Sequence, residues 1–478
     1  MTAEALVPDP SDVCAWPASA LAEAFGAGTL SPVELIERVL RRCAEVNGTV
    51  NAIVAMDEQA ARAAAGRSAQ RWHEGRPLSR LDGVPVTVKD NLHAAGLPAR
   101  WGSKLLPDAP VDRDEPCVAR LRRAGAVILG KTNVPEFTLQ GYTGNLLHGV
   151  SRNPLAPERT PGGSTGGGAA ALAAGLGAIA IGTDGGGSLR RPAAHCGLYG
   201  VKPSLGQVAR YGGFPQILHD FEAVGPMARS LEDLSVVMSI LAGDDLRDPR
   251  SVAADGGPAP LDRAARIAFM PRAGSAPVDP LIAAQAERTA SALREAGCIV
   301  EEIPFPFDPD HGHAVWRTIA TAGLAWYLGR FRPGQAIAGA VTANTLEMAE
   351  AGARVTTSDY VEALQQVAEI RAGWGAFFDH WDFVLTPTTA ALAWDAAIPY
   401  PAVIDGREVG PRGHSVFTVW VNLIRGAAAS IPVATTPHAG GIGMQVVGPA
   451  GRDRRLLAWL RANAERLPPL MRVGRVSV

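Results

Sequence analysis

Apolar positions along this chain follow two rhythms. Up to about residue 75 they recur every three to four residues, the spacing of helices that bury one face. Ser31-Pro32-Val33-Glu34 places a capping hydroxyl, a proline at the first helical position and a glutamate three residues after the cap, a combination that starts a helix. Val33, Ile36, Leu40 and Cys43 define its expected apolar face, and the Ala- and Arg-rich run 58–72 predicts a second helix. From Gly83 onward short β-branched runs alternate with helical stretches. The pattern predicts strands over 84–88, 126–129 and 178–181, with helices over 117–124 and 167–176. Later it predicts strands over 266–270, 298–303, 382–386 and 443–447, and helices over 280–296 and 454–465.

Strands alternating with helices predict an α/β fold, a single large domain whose central mixed, twisted β-sheet is covered by helices on both faces. The expected organisation is an N-terminal helical region (1–75), a core (80–235), a peripheral helical insertion or subdomain (256–380) that begins with the Pro- and Gly-bearing stretch 256–260, and a return to the core (381–478). The Gly-, Pro-, Asn- and Ser-rich segment 141–166 is long and irregular, the kind of segment that carries function inside a compact domain.

Composition narrows the partners. At 478 residues, 47% hydrophobic and 19% charged, the chain has enough apolar material for a large core and is not disordered. A formal charge of −2 without long basic runs argues against nucleic acid as a partner. The five cysteines, Cys14, Cys43, Cys117, Cys196 and Cys298, are scattered, odd in number and free of C-x-x-C, so they read as reduced thiols in a cytoplasm. Residues 1–16 lack the basic start and apolar core of a signal peptide. The longest apolar stretch, 166–181, is too short to span a membrane. No metal-ligand cluster or cofactor fingerprint stands out; the expected cofactor is none. A small-molecule substrate is the expected partner, and a homodimer is compatible with the composition.

Three glycine-rich motifs point to three chemistries. Gly125-Ala-Val-Ile-Leu-Gly130-Lys131-Thr132 matches the phosphate-binding loop pattern, but its context is inverted: a helical stretch precedes it and its four middle residues form the strand. Gly162-Gly163-Ser164-Thr165-Gly166 matches the G-x-S-x-G elbow of α/β-hydrolases, with Ser164 as nucleophile and Asp220, His219 or His438 as partners. That elbow must follow a buried strand, and 153–161 carries three prolines and no apolar run. The third motif, Gly182-Thr183-Asp184-Gly185-Gly186-Gly187-Ser188, leaves the strand 178–181 directly. Three consecutive glycines let several backbone N–H groups converge on one point, as stabilising an oxyanion requires. From this segment alone a nucleophile turn and a flexible, Ser-capped loop stand level.

The segments taken together decide between them. Asp82-Gly-Val-Pro-Val-Thr-Val-Lys89-Asp90-Asn91, Gly130-Lys-Thr-Asn-Val-Pro-Glu-Phe137, Asn153-Pro154, Thr160-Pro-Gly-Gly-Ser164-Thr-Gly-Gly167, the run 182–192, Cys196-Gly197, Lys202-Pro203 and Gly225-Pro-Met-Ala-Arg-Ser230 resemble the amidase-signature family. Ser188 lies 24 positions after Ser164 (188 − 164), as in the family pattern. The resemblance implies an amidase: Ser188 as nucleophile, Ser164 in a cis peptide as proton relay, Lys89 as base, and the N–H groups of Gly185, Gly186, Gly187 and Ser188 as the oxyanion hole. Thr165, Asp184 and Arg190 are the implied supporting residues. Thr165 stands where the family usually has a second Ser, and Gly185 where a hydroxyl residue is common.

The chemistry agrees with these roles. A serine hydroxyl needs an adjacent base at neutral pH. A lysine with an ordinary pKa of about 10.4 serves only if burial or nearby positive charge brings it down. Lys89 ends an apolar strand, where loss of water is expected. Substrate contacts are expected from Phe137, Gln140, Gly141 and Tyr142, from Tyr211 and the residues after it to Pro215, and from 420–424, which are aromatic or apolar and suit a hydrophobic or aryl group. Arg191 is a candidate for binding a substrate carboxylate. The same acyl-enzyme chemistry serves amides, esters and carbamates (urethanes). A rival within the resemblance is the amidotransferase subunit that amidates misacylated tRNA, against which the segment Ser358-Asp359-Tyr360 lacks the Tyr-rich signature of that branch.

Overall fold

The computed structural model describes residues 1–253, 261, 263–331, 337, 339–467 and 471–472; the stretch 256–260 lies outside them. Its centre is one mixed sheet. In chain order the strands are β1 (Ile53–Met56), β2 (Pro85–Lys89), β3 (Val127–Thr132), β4 (Ile179–Asp184), β5 (Tyr199–Lys202), β6 (Ala223–Ala228), β7 (Arg266–Phe269), β8 (Ile299–Glu302), β9 (Phe383–Pro387), β10 (Ala427–Thr436), β11 (Gly440–Gly448) and β12 (Met471–Arg472). Across the sheet they run β1-β3-β2-β4-β6-β5-β10-β11-β9-β7-β8, with β12 beside β10. β3, β2 and β4 are mutually parallel neighbours, as are β9, β7 and β8; the strands between pair antiparallel. The strands of the expected peripheral segment thus join one end of the central sheet.

Both faces are covered because alternate side chains enter different cores. In β4, Ile179 and Ile181 pack with Val86 and Val88 of β2 in the largest apolar cluster. Ala180 between them turns to Ala169, Leu172 and Met227. In β9, Phe383 and Leu385 join the first cluster, while Val384 enters an aromatic one with Trp316, Trp374 and Trp420. Each fully buried Val, Ile or Phe contributes roughly 1.5–3 kcal/mol relative to exposure.

Expected elements are present with shifted ends. The capping box at Ser31 forms and the helix runs Pro32–Val50. Its buried stripe centres on Leu35, Val39 and Cys43, which leaves Val33 41% exposed rather than on the apolar face. The strand expected to end near Gly130 continues through Lys131 and Thr132 to pair with β1, where Ala55 O passes so close that a Cβ on Gly130 would collide with it. β4 extends past its apolar run to Thr183 and Asp184. The five cysteines are free and four are buried. Among the described residues no helix is long and apolar enough to cross a membrane.

Candidate active site

Parallel strands β2 and β4 end side by side, with Val88 opposite Ile181, so Lys89, Thr183 and Asp184 emerge together at their carboxyl ends. Such an edge is where α/β sheets place their sites. Lys89 is fully buried. Its Nζ lies 2.8 Å from Ser164 Oγ, 2.9 Å from Thr183 Oγ1 and 3.0 Å from Thr183 O. Burial brings its pKa down to about 7; Glu222 and Asp184 oppose the fall, and Arg210 and Arg191 add to it. An amine held near neutrality in contact with a hydroxyl can accept that hydroxyl's proton.

Ser164 sits on a loop that only glycines permit. The Gly163–Ser164 peptide is cis. A Cβ on Gly163 would collide with Tyr142 O, so the loop is pressed against the chain at Gly141 and Tyr142. Thr165 ties this loop to the next: its Oγ1 donates to Thr183 O at 3.1 Å and its N–H to Ser188 O at 3.1 Å. Among the described residues no hydrogen bond joins the Ser188 hydroxyl to Ser164; the two loops are held through this main-chain contact.

The Ser188 turn is braced by a buried ion pair. Arg190 meets both Asp184 carboxylate oxygens at 2.9 Å, with neither side chain exposed. Asp184 also accepts from Gly187 N at 2.6 Å and Leu189 N at 3.1 Å. Burial alone would raise this carboxyl's pKa, but the Arg190 charge and these hydrogen bonds hold it well below the usual carboxylate range. Arg190 then reaches Gln445 Oε1 and Asn422 Oδ1, each at 2.6 Å. Asn422 Nδ2 returns to Asp184 O at 2.8 Å.

These contacts aim the turn's peptide groups. Trp316 Nε1 donates to Gly185 O at 2.7 Å, while Gly186 O accepts from Arg191 at 2.6 Å and Thr418 Oγ1 at 2.9 Å. Because N–H and C=O of a planar peptide point in opposite directions, the hold on Gly185 O turns the Gly186 N–H away from Trp316. One expectation needs correcting: the Gly187 N–H, expected in the oxyanion hole, is occupied by Asp184. The N–H groups of Gly185, Gly186 and Ser188 have no partner among the described residues.

Of the expected substrate contacts, Gly141 and Tyr142 adjoin the Ser164 loop. Gly141 faces the buried His414 ring, both of whose nitrogens lack a protein partner among the described residues. Phe137 is instead fully buried in an aromatic cluster, 5.6 Å from Trp101 and 5.7 Å from Tyr327. Gln140 turns to the Met348 sulfur at 3.6 Å. Tyr211 bonds Asp245 at 3.2 Å beneath the Arg247 guanidinium. Arg191 spends its terminal nitrogens on Gly186 O and, at 3.2 Å, Gly163 O; among the described residues only its Nε is without a partner. Asp220, a candidate acid for Ser164, is paired with Arg371 and Arg425, and no described strand leads into Ser164. Sequence reasoning missed Thr183, Asn91, Glu222, Arg210, Trp316, Thr418, Asn422 and Gln445. Thr183 and Asn91 lie inside the motifs and were within reach; the others are brought in by the fold from distant segments.

The amidase family model matches residues 34–457, nearly the whole chain. The chain belongs to the amidase family. Its similarity extends to members with different names. It is 34% identical to a glutamyl-tRNA(Gln) amidotransferase subunit of Thermus thermophilus, over 90% of this chain and 93% of that one. It is also 34% identical to indoleacetamide hydrolase of Bradyrhizobium diazoefficiens, over 93% of this chain and 84% of that one. Among solved structures, a bacterial aryl acylamidase of the amidase-signature enzymes superposes with a TM-score of 0.84 at 25% identity, covering 94% of this chain and 97% of the other.

Proposed function

We propose that the protein hydrolyses the carbon–nitrogen bond of small amides through an acyl-enzyme on Ser188. The observation that carries this is the buried Lys89 amine 2.8 Å from Ser164 Oγ, beside a glycine turn that ends in Ser188. Ser188 Oγ attacks the carbonyl carbon while its proton passes to Ser164 Oγ and the Ser164 proton to Lys89 Nζ. The N–H groups of Gly185, Gly186 and Ser188 take up the charge that develops on the carbonyl oxygen, an effect that removing one such donor reduces by about 10²–10³ in rate elsewhere. Collapse expels the amine, which receives the proton back along the same route. Water, deprotonated in the same way, then cleaves the ester to acid and free Ser188. Thr165, Asp184 and Arg190 hold this geometry, and no metal or cofactor takes part.

Support for an apolar or aryl substrate comes from Trp316 and Val419, which flank Gly186, and from a cavity of about 370 Å³ beyond Val419 walled by Phe305, Trp374 and Trp420. Esters and carbamates fit the same chemistry. The test is a panel of anilide, aliphatic amide, ester and carbamate substrates against wild type and Ser188→Ala, with fluorophosphonate labelling of Ser188. Turnover and labelling that survive Ser188→Ala would defeat the proposal, as would loss of activity in EDTA.

A second function is favoured by the likeness to the glutamyl-tRNA(Gln) amidotransferase of Thermus thermophilus. Glutamine as the sole substrate, together with stoichiometric partners in a pull-down, would favour it over a stand-alone hydrolase.

A further inference from the structure

Lys89 faces more than Ser164. Thr183 Oγ1, 2.9 Å from its amine, takes a second bond from Asn91 Nδ2 at 3.0 Å, and the same amide group reaches Glu222 Oε1 at 3.2 Å. The other Glu222 oxygen pairs with Arg210, whose Nε lies 3.5 Å from Glu115. All six side chains are buried. A buried ionic chain of this length is seldom the most stable filling for a protein interior, since apolar residues of similar volume often serve as well or better. Its end at the Lys89 amine gives it a use.

We propose that Glu222 is a positioning residue for the hydrolysis: through Asn91 and Thr183 it holds the Lys89 amine against Ser164, and its charge, shared with Arg210, sets the pH at which that amine becomes a base. This rests on Lys89 being the base of the proposed hydrolysis. The charged groups acting on it are Glu222 and Asp184, which favour the ammonium, and Arg210 and Arg191, which oppose it. Asp184 is saturated by Arg190 and the backbone, so its field is largely spent locally. Glu222 balances a guanidinium that would otherwise drive the proton off Lys89. Replacing Glu222 by neutral Gln removes the negative charge and exposes Arg210; both effects make the amine lose its proton more readily.

The test is the pH dependence of kcat/KM between pH 5 and 9 for wild type, Glu222→Gln and Glu222→Asp, on the best substrate of the panel, with fluorophosphonate labelling rates of Ser188 over the same range. The acid limb is expected to move down by roughly one pH unit in Glu222→Gln and to return close to the wild-type position in Glu222→Asp, which keeps the charge. An acid limb that stays in place in Glu222→Gln, or moves up, overturns the proposal. Should Glu222→Gln fail to fold, Asn91→Ala carries the test: cutting the amide bridge lowers kcat with KM little changed, and an unaltered kcat overturns the proposal. If Lys89→Met and Ser188→Ala both keep activity, the assignment of the base has failed instead.

Discussion

Lys89 shows what a residue gains and loses by burial. Removing it from water destabilises the ammonium, and three oxygens arranged around the nitrogen keep the amine in one place. The expected pH dependence follows from the lowered pKa: below about 7 the amine is protonated and cannot accept a proton, so kcat/KM rises with pH through about 7 and levels above it. A rate profile that falls over that range would contradict a lysine base. Arg191 illustrates a side chain whose chemistry the sequence leaves open. With its terminal nitrogens on Gly186 O and Gly163 O it braces both loops. Arg191→Ala is therefore expected to lower kcat about tenfold or more for acidic and neutral amides alike, the loss of a charge-assisted hydrogen bond being worth roughly 1.5–3 kcal/mol. A loss confined to acidic amides, measured side by side, would restore the carboxylate-binding role. Lys89, Ser164 and Ser188 are legible because each stands in a dense local motif; the engagement of Gly187 N–H is not, because only the folded turn brings the Asp184 carboxylate back onto it.

At the scale of elements, strands that read as β-branched runs lie close to their expected bounds, and those that break the rule escape the pattern. β10 is the clearest case. Its ten residues, Ala-Ala-Ala-Ser-Ile-Pro-Val-Ala-Thr-Thr, carry alanines and a proline that weigh against a strand. It forms because it lies between β5 and β11, buried on both faces, and a bulge after Pro432 absorbs the missing donor. β4 reads short in the sequence because Thr183 and Asp184 are polar, yet those two residues carry the site. Small residues also mark where elements touch. Gly441 of β11 runs beneath the helix Arg190–His195, and a Cβ there would collide with Ala194 O and lie 2.6 Å from Gly197 N. Since backbone cannot step aside cheaply, Gly441→Ala is expected to cost about 1–3 kcal/mol, read as a lower midpoint in urea; an unchanged midpoint would show that the strand and helix part easily.

Over the whole molecule the α/β class, the two-sided cover and the family resemblance are visible in the sequence, whereas the order in which strands join is not, because pairing between distant strands leaves no local signature. The sheet meets its C-terminal half at β5–β10, and the site is built across that seam: Ser188 and Arg190 come from one side, Asn422 and Gln445 from the other. Gln445 also bonds Thr386 and the Phe417 carbonyl, so it is fixed before it meets Arg190. Gln445→Ala is expected to lower stability by about 1–3 kcal/mol and to lower kcat on every substrate, as measured by urea unfolding and steady-state rates on one preparation. Full activity in a destabilised variant would separate the turn from its support. The clasp from Arg190 to β11 also means that the reactive serine is armed only after the last long strands have docked. A partly folded chain would then carry the nucleophile without its aim, and premature acylation during synthesis is prevented by topology alone.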